Sequence, residues 1–115
     1  MPEASFRVGD CVRVNSGVRD PDFGIDVGGW QGRIREPEED GIVLIAWDSV
    51  TLTNMGIDLI VRCERENLDW RVTALGSSEL SKAPRRDTEE AVSDTVASIE
   101  AKLLEDPRLK DIFGP

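Results

Sequence analysis

Apolar and polar positions alternate over short distances in the first half of the chain. In "SFRVGDCVRVNSG", residues 5–17, Val8, Val12 and Val14 alternate with Arg7 and Arg13 apart from a break at Gly9-Asp10, which predicts a first strand. "GWQGRIREP", residues 29–37, predicts a second strand closed by Pro37, and "EPEEDG" a polar turn ending in Gly41. "IVLIAWD", residues 42–48, is apolar on both faces and predicts a central, buried third strand. "SVTLT", residues 49–53, predicts a short fourth strand entered through a tight turn at Asp48-Ser49.

The next segment, Asn54 to Asn67, fits two periods. Leu52, Met55, Leu59, Ile60 and Cys63 share a helical face, while Ile57, Leu59, Val61 and Cys63 fit a strand. Glu64-Arg65-Glu66 and a left-handed stop at Asn67 favour a helix of about three turns. "LDWRVTAL", residues 68–75, predicts a fifth strand, and "GSSELSKAPRR", residues 76–86, reads as a linker. Asp87 with Glu90 makes a capping arrangement, and Val92, Val96, Ile99 and Leu103 form one stripe of a helix over Thr88–Glu105, about 27 Å long. That stripe is expected to dock on the chain's own barrel or on a partner chain. Asp106-Pro107 opens a short second helix that ends at Gly114, with Leu109, Ile112 and Phe113 as its apolar contacts.

Composition narrows the chemistry. The 115 residues suit one folding unit, divided into residues 1–83 and a helical extension over 84–115. No apolar run reaches the roughly 20 residues of a membrane helix. The opening "MPEASFRVGD" has no apolar core of a signal sequence. With Cys11 and Cys63 expected to be reduced and buried, these features predict a cytoplasmic protein. The net charge is -9. Through residue 35 five arginines balance five carboxylates, so the whole excess lies beyond, and nucleic acid is a disfavoured partner. Histidine and tyrosine are absent, which removes the commonest general base and every Ser-His or Cys-His pair. No cofactor is expected, and an enzyme is the least favoured class.

"FRVGDCVRV", "GGWQGRI" and "IVLIAWD" together resemble a small Src-homology-3-type β-barrel, similar in outline to KOW and Tudor domains. Accessory barrels such as the variable chain of ferredoxin-thioredoxin reductase and the beta chain of nitrile hydratase are similar too. The resemblance covers roughly residues 5–80 and implies a mainly β fold: a five-stranded barrel, a helix before the last strand and a C-terminal helical extension. It carries no site with it, because this architecture hosts many functions. RNA-binding KOW domains are basic, whereas this chain is acidic. Tudor aromatic cages use tyrosine, which is missing here.

The candidate binding residues lie in and after the long loop "RDPDFGIDVGGWQGRI". Asp20, Asp22 and Asp26 could offer oxygens to calcium or a small ligand, but Ile25 stands where an EF-hand-type turn needs glycine and Gln31 where it needs a bidentate glutamate. The bland reading is an Asx-type turn. Trp30, just after Gly28-Gly29, and Arg33 are residue types enriched at interface hot spots. The sequence thus favours a non-catalytic protein-interaction or regulatory module, or an accessory subunit, as monomer or homodimer. A calcium- or small-ligand-binding protein and a nucleic-acid-associated barrel are the alternatives.

Overall fold

Asp40 and Gly41 take φ of 55° and 79°. Two consecutive left-handed residues make the primed turn whose twist suits a two-residue hairpin. In the computed structural model, which describes residues 6–113, this turn joins β2 (Gln31–Glu39) to β3 (Ile42–Trp47). Val43, Ile45 and Trp47 alternate along β3 and are all buried on one face of the sheet. β1 (Cys11–Val14) pairs with the other side of β2, β4 (Val72–Gly76) with β3, and β5 (Leu80–Lys82) with β1. All ladders are antiparallel, in the order β4-β3-β2-β1-β5.

The sheet is open. No ladder joins β4 to β5, so the expected Src-homology-3-type barrel, and with it the KOW- and Tudor-like outline, is overturned. The fold is mixed α/β, 39% helix and 27% strand, instead of mainly β. The largest source of the difference is "SVTLT". Its β-branched residues favour a strand, yet it forms helix α1 (Ser49–Met55). Asp48 is the reason: its carboxylate accepts the Thr51 N–H at 2.8 Å and caps the first turn. Gly56, at φ 88°, then breaks the chain before α2 (Ile57–Arg65). Asn67 is left-handed at φ 59°, and the Leu68 N–H closes α2 onto the Cys63 carbonyl at 2.8 Å.

Other boundaries also moved. The first strand is confined to Cys11–Val14, and its expected start at Ser5 lies outside the described residues, as does the expected helix end at Gly114. Pro37 does not close β2, because register shifts on both sides of Glu36 let the strand pass a residue without an N–H. The strand after α2 begins only at Val72. The presumed linker contains a 3-10 turn (Ser77–Glu79) and all of β5.

Helix α3 (Glu89–Glu105) is capped by Thr88, whose hydroxyl accepts the Ala91 N–H at 3.1 Å, and not by Asp87. Ile99 and Leu103 are buried in the common core, with Val92 and Val96 half-covered against it. A 3-10 turn (Pro107–Leu109) follows, with Leu109 fully buried, then α4 (Lys110–Phe113). Among the described residues, no helix is long and apolar enough to cross a membrane.

Candidate functional site

The loop between β1 and β2 is fastened from within. One carboxylate oxygen of Asp20 accepts the N–H groups of Asp22 and Phe23 at 2.9 and 2.8 Å, and the other accepts that of Ile25 at 2.8 Å. Asp26 accepts the Gly28 N–H at 2.8 Å, and the Arg19 guanidinium donates to the Gly24 carbonyl at 2.8 Å. Val27, at the end of the loop, is buried in the core. Both Asp20 oxygens therefore serve the turn, whereas a hard cation needs six to eight free ones. Among the described residues, no three His, Cys, Asp or Glu side chains are grouped to hold a metal ion.

This loop and α2 enclose an aromatic groove. Trp30 is half-buried and packs edge-on against buried Trp47, with ring centroids 5.1 Å apart and planes at 83°. Phe23 is half-buried, and the guanidinium of Arg62 on α2 sits 3.9 Å above its ring. Trp70 closes the far side and donates its indole N–H to Glu64 at 2.8 Å. Between them is a notch of about 40 Å³, with Asp20, Asp22 and Asp69 at its lining. That is room for a side-chain tip, far below the several hundred Å³ that enclose a cofactor.

Cys63 also lines the notch. Burial pushes its thiol up to about 11, and the Asp20 and Asp22 carboxylates add to the shift. At neutral pH it is a protonated apolar wall and not a nucleophile. Cys11 lies half-buried on β1, and both cysteines are free.

The structure places Asp20, Asp22 and Trp30 at one groove and sends Arg33 elsewhere. Arg33 follows Gly32 on β2 and points to the opposite face of the sheet from Ile34 and Trp47. There it is buried, 2.5 Å from Asp87 and 3.3 Å from Glu89, at the start of the C-terminal extension. The second Asp87 oxygen accepts the Ser49 N–H at 2.7 Å. Burial alone would raise the Asp87 carboxyl, but the Ser49 and Arg33 donors outweigh it and hold the group below the usual carboxylate range. Next in sequence, Arg86 grips Asp48 with two hydrogen bonds, 2.7 and 3.1 Å. Arg33 is thus part of a latch for the helical extension.

Trp70, which with Trp30 and Trp47 is one of three tryptophans the sequence offers for a groove beside the long loop, lines it here, whereas Phe23 and Arg62 complete it without having been singled out by sequence. Phe23 and Arg62 lie on a loop and a helix far apart in the chain, and only the folded packing stacks one on the other. No protein-family model matches this chain, and neither a curated protein nor a solved structure does.

Proposed function

We propose that this chain is a non-catalytic protein-interaction module whose groove beside Trp30 accepts a basic side chain from a partner protein. One observation carries the reading: a guanidinium of the chain's own, from Arg62, rests on the ring of half-buried Phe23. The groove therefore already accommodates the chemistry it would recognise. Trp30 supplies further ring surface, buried Trp70 backs the notch, and the Asp22 carboxylate has no hydrogen-bond or ion-pair partner among the described residues. A partner arginine or lysine would displace Arg62, place its stem against Trp30 and meet Asp22. The small notch volume favours a side-chain tip over a free small molecule.

The test is a selection from randomised ten-residue peptides displayed against the intact protein. Recovered binders should be enriched in arginine and lysine. They should weaken at least ten-fold on Phe23→Ala or Trp30→Ala and tighten on Arg62→Ala, which removes the internal competitor. Binders without basic residues, binders indifferent to Phe23 and Trp30, or no binders at all would overturn the proposal.

A further inference from the structure

A second surface lies on the other side of β3. The outward edge of β4 carries unpaired backbone. The Trp47 N–H donates to the Arg71 carbonyl at 3.0 Å, and the Ser77 N–H to the Gly41 carbonyl at 2.8 Å. Hydrogen-bonded pairs alternate along an antiparallel ladder, so Thr73 and Leu75 bond to β3 between these two contacts. The N–H and C=O groups of Val72, Ala74 and Gly76 therefore point away from the sheet. The Gly76 N–H is capped by the Glu79 carboxylate at 2.9 Å. Those of Val72 and Ala74 have no hydrogen-bond partner among the described residues.

Edge strands are normally guarded by a charge, a proline, a bulge or extreme shortness. β5, at the other edge, is three residues long and ends in Lys82. β4 reads "VTALG" and has none of these guards: it is five residues long, without charge or proline, and in continuous register with β3. Beside it the outer face of the sheet is open. Pro37, Ile42, Leu44 and Ala74 line a cleft of about 180 Å³, and Ile42 is 48% exposed. Glu36 and Glu39 line the same cleft and Glu38 and Asp40 adjoin them in sequence, all exposed and in no ion pair among the described residues.

Charge decides what fits. A second copy of the chain would bring its own -9 against this acidic face. A basic partner would be attracted to it. We infer that β4 is a docking edge for an extended, lysine- or arginine-bearing segment of a partner protein, which adds to the sheet as a sixth strand. The segment exchanges main-chain hydrogen bonds with Val72 and Ala74, and its apolar side chains cover Ala74 and Ile42. This surface stands apart from the Trp30 groove, and either could exist without the other.

The probe is a seven-residue peptide alternating lysine and valine, titrated into the intact protein and followed by amide chemical shifts and hydrogen exchange. Exchange of the Val72 and Ala74 amides should slow at least ten-fold at saturation. Methylating alternate peptide nitrogens should abolish the effect, and replacing lysine by glutamate should weaken binding at least ten-fold. Ala74→Pro removes an N–H that no ladder uses and should lose binding. Ala74→Lys, which keeps the N–H but adds a like charge to the peptide's, should weaken it. Phe23→Ala should leave it unchanged, which separates this edge from the groove. Unprotected Val72 and Ala74 amides at millimolar peptide, equal binding of the methylated peptide, or concentration-dependent pairing of the protein with itself through β4 would each overturn the inference.

Discussion

Arg33 and Asp87 are 54 residues apart in sequence and 2.5 Å apart in space, and both side chains are less than a tenth exposed. One is in the middle of the sheet and the other at the entrance to α3. Their neighbours repeat the arrangement with Arg86 on Asp48, whose carboxylate also caps α1. Two consecutive residues of opposite charge, Arg86 and Asp87, thus tie the C-terminal extension to two different elements.

Breaking this latch from one side leaves a buried charge without its partner. Asp87→Ala should destabilise the protein by about 3–5 kcal/mol, and Arg33→Ala by a similar amount. The double replacement Arg33→Ala with Asp87→Ala should cost clearly less than the sum of the single changes. Urea unfolding of the four proteins measures the coupling, and strict additivity would show that the pair contributes nothing as a pair.

Acid should act at the same place. An unfolded aspartate titrates near 3.9. Asp87 is held lower in the folded chain, so its contribution is present above the unfolded value and is lost as pH falls through the folded one. The stability gap between the parent and Asp87→Asn should therefore be full at pH 7 and shrink below about pH 4. A gap that stays constant down to pH 2.5 would contradict this linkage.

What the sequence revealed, and what it hid, follows from these contacts. The α3 stripe and the β2–β3 hairpin were legible because periodicity and turn chemistry are local. "SVTLT" was misread because its β-branched residues speak for a strand, while one capping carboxylate and the burial of Leu52 decide for a helix. β5 was hidden because three residues show no period, and its pairing with β1 is set across the whole chain. Trp30 was visible as a candidate, but Arg33 looked like its neighbour only in sequence. Alternation along β2 puts the two on opposite faces, and nothing local announces Asp87 as a partner.

Gly32 tests that crowded stretch. A Cβ there would come within 2.8 Å of the Ile45 side chain and would run into the main chain of Ala46. Gly32→Ala should cost about 1–3 kcal/mol or more, since backbone cannot step aside. Gly24→Ala meets open space and only the strain of φ +70°, about 1–2 kcal/mol. Melting temperatures should fall further for Gly32→Ala, and the reverse order would mean that β2 can shift.

Adjacent leucines on α3 offer a cleaner contrast. Leu103 is 2% exposed and Leu104 is 63% exposed. Leu103→Ala should cost about 2–5 kcal/mol. Leu104→Ala should change stability by less than about 0.5 kcal/mol. Equal effects in thermal unfolding would place α3 off the core.

Asp20 holds the loop that shapes the groove, and Asp22 does not. The three N–H groups that Asp20 accepts would all lose their partner in Asp20→Ala. Asp20 is only half-buried, and water can replace part of what is lost, so the cost should be about 1–3 kcal/mol. The more telling readout is Trp30. It is half-covered now, and a loosened loop should expose it to a neutral quencher such as acrylamide and shift its emission to longer wavelength. Asp22→Ala removes a carboxylate with no partner among the described residues, so both stability and quenching should stay at parental values. Calcium supplies the control. With Asp20 committed to backbone donors, millimolar calcium should raise the melting temperature of neither the parent nor Asp22→Ala. A rise in the parent that disappears in Asp22→Ala would mean that the loop rearranges to release the Asp20 oxygens, and the groove would then have to be read as a cation site.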